Sequence, residues 1–216
     1  MYKKEVKKTE NKNKKIVDGE IVNDILKQEV NLMHYPFFLI DNKKSKINKI
    51  EFKTFVNRMG TRTEIYWNVY SNSEYGIPSQ FDKNVYMVIQ EIIESMPKPI
   101  VNPVPIGTMY SLVKKMGISN TSNNYKNLKR SLERISATRI KSIGAFYSKD
   151  KKVWIEDLFG IFDRTIWKGE LKEDGSLAEQ NYVYLGTKFL ENINANYVKP
   201  IDRSYYKELK FPIAKR

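Results

Sequence analysis

Apolar and polar positions separate most sharply between Pro105 and Arg139. The spacing there predicts two helices joined by a short turn. Ile106, Met109, Tyr110, Val113 and Met116 make an inward face for a first helix that starts at Pro105, where proline suits the first turn, and closes at Gly117. Residues Ile118 to Ser122 offer caps for a second helix. At about 100° per residue, Tyr125, Leu128, Leu132 and Ile135 fall in one narrow apolar arc of that second helix. The opposite arc carries Asn123, Lys126, Asn127, Arg130 and Arg134. One face is built for a core and the other for an anionic surface rich in hydrogen-bonding groups, a description that the DNA major groove meets.

Upstream, Ile21, Ile25, Leu26 and Val30 have the spacing of an amphipathic helix over 21–32, and Tyr35 to Ile40 form a compact apolar cluster ahead of the polar turn DNKKSK. KIEFKTFVNR and TEIYWNVYSN alternate with period two on either side of Met59, Gly60 and Thr61, which predicts a β-hairpin with Ile65, Trp67 and Val69 on its buried side. The loop SEYGIPSQFD leads to a helix capped by Asp82 and running through Met96, with Val85, Val88, Ile89 and Ile92 inward; Pro97 and Pro99 stop it. PKPIVNPVP is then extended.

Downstream, RIKSIGAFYS, the turn KDKK and KVWIEDLFGIFDRTIW predict a second hairpin, and NYVYLGTKFL a further strand beyond the acidic excursion GELKEDGSLAEQN. Three helices followed by a hairpin is the order of a winged helix, with residues 149–152 at the wing tip. The expected fold class is therefore α+β: a winged helix, that is a helix-turn-helix with a β-hairpin wing, preceded by a β-hairpin. The expected organisation is a basic arm over 1–20, a winged-helix domain over 21–196, and a linker with the start of a second winged-helix unit over 197–216. In that last segment the chain is extended around Pro200 and opens a helix near Ser204; a terminal helix folded back on the first domain is the competing expectation.

Composition narrows the chemistry. Among 216 residues, 38 Lys and Arg against 25 Asp and Glu leave a net charge of +13, so polyanions are the first class of partner. No stretch of about 18 apolar residues suggests a membrane span, and a cytoplasmic location is expected. With no Cys there is no thiolate chemistry, disulfide or Cys-based zinc site. The single His34, between Met33 and Tyr35, reads as a packed polar residue, and no GxxxxGK[ST] loop for ATP is present. We expect a binding protein with no catalytic residue, metal or cofactor. The aromatic residues Trp67, Tyr75, Phe81, Trp154 and Trp167 are expected in core packing. Asn123, Lys126, Asn127 and Arg130 are the candidates for base edges or nearby phosphates, and Arg134 and Arg139 for the DNA backbone. Lys114 and Lys115, ending the first helix of the pair, suit phosphates, and Lys149, Lys151 and Lys152 suit a wing that follows a groove.

TEIYWNVYSNSEYGIPSQFDKNVYMVIQEII, with its aromatic strand, Tyr-Gly-Ile-Pro loop and Asp-led helix, resembles the replication initiator protein A family of bacterial plasmids. YVKPIDRSYYKELKFPIAKR is similar to that family's link into a second winged helix, so the resemblance spans roughly Tyr35 to Arg216. It implies an initiator that binds double-stranded DNA at origin repeats and recruits a host replication initiator and replicative helicase, with a homodimer compatible. A winged-helix repressor of its own promoter is the alternative.

Overall fold

A computed structural model describes residues 14–17, 20–23, 25–39 and 47–202. The expected arm before residue 14, the DNKKSK turn and the expected C-terminal helix near Ser204 lie outside the described residues. Where a helix was expected over 21–32, the chain forms strands. β1 (Lys14–Val17) pairs with β2 (Glu20–Asn23), and β3 (Ile25–Glu29) pairs antiparallel with the late strand β11 (Val198–Asp202). Apolar spacing suited a helix, but the partner strand lies about 170 positions away and is invisible to local periodicity. Only the short helix α1 (Val30–His34) remains of the expected one.

The expected hairpin is β4 (Lys49–Arg58) and β5 (Thr61–Tyr70), paired in regular register over all ten residues. Met59 and Gly60 both have positive φ, 48° and 79°, which a two-residue turn matched to strand twist requires. Ile65, Trp67 and Val69 are fully buried, and the Trp67 indole donates to the Pro36 carbonyl at 2.8 Å while Tyr35 stacks on its ring.

Helix α2 (Gln80–Glu94) begins earlier than expected: Ser79 is its N-cap, and Asp82 lies in the first turn, accepting the Ser79 N–H at 2.6 Å. The chain then enters a strand, β6 (Val104–Gly107), where the next helix was expected to begin. Pro105 is tolerated because β6 is an edge strand, and Val104 and Ile106 are buried there. Helix α3 (Met109–Met116) starts beyond it, capped by Thr108 and ended by Gly117 in the left-handed conformation. Thr121 caps α4 (Ser122–Ala137).

KVWIEDLFGIFDRTIW, expected as one strand, is two strands that belong to different sheets. β7 (Arg139–Ser148) and β8 (Val153–Gly160) extend the first hairpin into a four-stranded sheet ordered β4-β5-β7-β8. The chain breaks at Ile161, and β9 (Phe162–Ile166) joins a different sheet with β10 (Asn181–Leu185) and β6, ordered β6-β10-β9. NYVYLGTKFL is accordingly half strand and half helix, since α5 (Thr187–Asn194) starts just after Gly186. One continuous apolar core joins both sheets to α2, α3, α4 and α5 through Trp67, Ile89, Leu112, Leu132, Phe146 and Phe189.

Candidate nucleic-acid interface

Helix α4 buries Leu128, Leu132 and Ile135, as its periodicity predicts, and also Ser131. Tyr125, at the edge of that arc, is half-buried. The turn into α4 is closed by side chains: the Thr121 hydroxyl accepts the Asn124 N–H at 3.3 Å, and the Asn124 amide donates to the Ser119 carbonyl at 2.8 Å. These short-range bonds fix the angle at which α4 leaves the turn. Asn123, Lys126, Asn127, Lys129 and Arg130 are exposed on its outer side, and Lys114 and Lys115 are exposed at the end of α3. Lys115 lies 3.8 Å from Glu91 of α2.

The two arginines in the second half of α4 behave differently from the rest of this group. Arg130 donates to the carbonyl of Glu74 at 3.2 Å but stays exposed. Arg134 is taken into the fold. Its Nη1 donates to both carboxylate oxygens of Asp82, at 2.7 and 2.9 Å, and its Nε donates to the Tyr75 carbonyl at 2.7 Å. With Asp82 fully buried, this guanidinium clamps α4 to α2 and to the SEYG loop, in place of the expected DNA-backbone contact. The outward cations therefore concentrate toward the first half of α4.

The other expected cations fall elsewhere. Arg139 opens β7 and pairs with Asp163 of β9 at 2.8 Å. Lys149, Lys151 and Lys152 are exposed in the β7–β8 turn, but that hairpin belongs to the four-stranded sheet rather than the sheet holding β6. The Lys149 N–H donates to Asn192 and Lys151 Nζ lies 3.5 Å from Glu191, so the turn packs on α5. A ten-residue strand places it roughly 30 Å from the end of α4 at about 3.3 Å per residue.

The hairpin that does spring from the sheet under α4 joins β9 to β10 over 167–180. The segment GELKEDGSLAEQN, expected as an exposed loop or hairpin end around Asp174 and Gly175, is a largely exposed hairpin end that continues those strands. Gly169 and Ala178 exchange backbone bonds with each other's neighbourhood, and Leu171 bridges Leu177. Its carboxylates are engaged locally: Glu170 accepts the Trp167 N–H, Glu173 meets Arg164 at 3.5 Å, and Glu179 accepts the Tyr182 hydroxyl. The Ser176 hydroxyl and amide hold the Asp174 carboxyl below the usual carboxylate range. At its base, the Lys129 ammonium lies 5.1 Å from the centroid of the Trp167 ring, coupling α4 to the hairpin. The sequence reading missed Lys129, and only the proximity of Trp167 marks it. The expectation that the aromatics are core holds for Trp67 but fails for Trp154, which is 45% exposed under the Arg58 guanidinium.

Among the described residues no cluster of His, Asp or Glu is arranged to hold a metal, and no helix is long and apolar enough to cross a membrane.

The fold and this surface define an α+β protein that presents a capped helix pair with a cationic, amide-bearing outer face. The chain belongs to the replication initiator protein A family, whose model it matches over residues 27–216. Among solved structures it is similar to the selenomethionine derivatives of domains 2 and 3 of RctB, with 15% identity, a TM-score of 0.47, and coverage of 73% of this chain and 57% of that one. A second RctB domain 2–3 crystal structure gives 18% identity, a TM-score of 0.42, and coverage of 77% and 58%. The chain thus spans less than two thirds of those structures. No curated protein matches it.

Proposed function

We propose that this protein is a replication initiator that binds repeated double-stranded sites in a plasmid origin through a winged helix. In this reading α2, α3 and α4 are its three helices, the β6-β10-β9 sheet is its sheet, and residues 167–180 are its wing. The observation that carries it is the order helix, strand, helix, helix and then, after the inserted β7–β8 hairpin that joins the other sheet, strand, strand, with the last strand central in the β6-β10-β9 sheet, together with the outward polar face of α4. Asn123, Lys126 and Asn127 read base edges or nearby phosphates in the major groove, and Lys114 and Lys115 contact phosphates. The expected roles for Lys149, Lys151 and Lys152 are not carried forward, since their turn lies on another sheet. The protein acts by binding and distorting DNA without covalent chemistry, and a host initiator and replicative helicase are the partners this role requires.

Fluorescence anisotropy against labelled duplexes carrying the repeats beside the gene, and against scrambled duplexes of equal length, tests the reading. Tighter binding to the repeats by about a hundredfold or more supports it. Equal affinity for both would overturn sequence-specific recognition.

A further inference from the structure

We propose that the loop between β5 and α2, Ser71 to Ser79, is a positioning element for Arg130, and that Arg130 held in this way reads the edge of a guanine. The inference rests on the DNA-binding reading above, which gives neither the loop nor Arg130 a task.

The loop is closed by its own polar groups. Asn72 Oδ1 accepts the Glu74 and Tyr75 N–H groups at 3.1 and 2.9 Å, the Gly76 N–H donates to the Asn72 carbonyl at 3.0 Å, and the Ser71 hydroxyl donates to the Gly76 carbonyl at 2.6 Å. Gly76 has a φ of 69°, which a residue with a Cβ seldom adopts. With the N–H groups of Glu74 and Tyr75 turned in on Asn72, their carbonyls are left to face α4.

The loop follows one stripe of that helix. Thr138, Arg134 and Arg130 are four residues apart, so their side chains stand one above another. The Thr138 and Ser71 hydroxyls meet at 3.3 Å, Arg134 donates to the Tyr75 carbonyl at 2.7 Å, and Arg130 donates to the Glu74 carbonyl at 3.2 Å. The next position of the stripe is the exposed Lys126. Arg130 is therefore where the stripe passes from the loop to the open face that carries Lys126 and Asn127.

The two arginines differ in what is left to them. Arg134 gives its charge to the buried Asp82 carboxylate. Arg130 meets a neutral carbonyl and, among the described residues, no carboxylate at ion-pairing distance. One carbonyl occupies one of its five N–H groups, so the charge and the remaining donors stay available to a partner. The O6 and N7 acceptors of guanine match such a fork of donors on the outer face of a helix. Holding a long side chain in place before binding also removes part of the entropy it would otherwise lose on contact. Asn72 acts on the DNA through the Glu74 carbonyl, which makes it the positioning residue.

Anisotropy titrations with the labelled repeat duplex, carrying 7-deazaguanine at one guanine at a time, test the proposal. In the wild type one replacement should weaken binding about tenfold, because the N7 acceptor is gone, and in Arg130→Ala the same replacement should change nothing. Asn72→Ala should weaken the unmodified repeat by about fivefold or more, leave the scrambled duplex unchanged, and add no loss to Arg130→Ala. Asn72→Ser, whose hydroxyl can accept the same N–H groups, should restore most of that loss. Arg130→Lys keeps the charge without the fork, so it should bind scrambled DNA as the wild type does and lose the guanine preference, whether or not Asn72→Ala folds. A scan to which the wild type and Arg130→Ala respond alike would overturn the guanine-reading role. A loss from Asn72→Ala that persists beside Arg130→Ala would overturn the positioning role. Equal binding of repeat and scrambled duplexes by the wild type would instead overturn the DNA-binding reading on which this inference stands.

Discussion

Arg134 of α4 reaches across to α2 and places one nitrogen 2.7 and 2.9 Å from the two carboxylate oxygens of the fully buried Asp82. The same Asp82 accepts the Ser79 N–H, so one buried carboxylate serves both as cap of α2 and as anchor of α4. Removing the cation leaves that charge uncompensated in the interior. Arg134→Ala should therefore cost about 3–5 kcal/mol in urea unfolding. A variant of near wild-type stability that has lost only DNA affinity would contradict this role.

The exposed half of α4 should respond in the opposite way, with stability kept and affinity changed. Asn127→Ala should weaken binding to the repeat by about 1–3 kcal/mol and leave scrambled DNA little affected, as expected for loss of a base contact. Lys114→Ala should weaken both duplexes alike and reduce the slope of log affinity against log salt by about one. Arg130→Ala separates the two halves of the helix: a base-reading Arg130 would lose the specific site selectively, whereas an Arg130 whose main partner is the Glu74 carbonyl would barely change either affinity. Anisotropy titrations at several salt concentrations resolve all three.

What was legible in the sequence was local. The core arc of α4, its cap region and the Met59–Gly60 turn depend on residues a few positions apart, and the structure contains each of them. What escaped depends on distant pairing. β6 is a strand because β10 lies beside it some 75 positions later, and no periodicity can appear in four residues that include Pro105. The hairpin after α4 was assigned to the wrong sheet because strand order cannot be read from chain order. Arg134 falls in the polar arc of a helical wheel, and only the Asp82 carboxylate, 52 positions upstream, turns it inward.

Gly186 makes the break between β10 and α5 possible. A Cβ at this position would lie 2.0 Å from the Gly160 carbonyl oxygen, a backbone atom that cannot rotate away. Its own N–H donates to the Ile161 carbonyl at 2.8 Å, so the two segments are held at this approach. Gly186→Ala should destabilise by about 1–3 kcal/mol or more. Gly175→Ala, in open space at positive φ, should cost only about 1–2 kcal/mol from its backbone conformation. Thermal unfolding of the two variants side by side checks the order, and equal losses would show that crowding at Gly160 is not decisive.

Glu29 gives the fold a pH dependence of its own. Its carboxylate is fully buried, accepting from Asn31, Asn192 and the Leu32 N–H, and it ties the β3–α1 corner to α5. Burial outweighs these hydrogen bonds and raises its pKa from an ordinary 4.5 to about 7. Below pH 4.5 the group is protonated whether the chain is folded or not, and stability is unaffected by it. Between 4.5 and 7 the unfolded chain releases the proton while the folded chain keeps it, so stability falls as pH rises, by roughly 3 kcal/mol once above 7. Glu29→Gln removes this titration, although the amide can accept fewer of the three hydrogen bonds. The difference in unfolding free energy between Glu29→Gln and the wild type should therefore shift in favour of the variant from pH 5 to pH 8, by about that amount. Subtracting the two profiles cancels the other titrating groups, and a flat difference would mean that Glu29 ionises in the folded protein as it does in water.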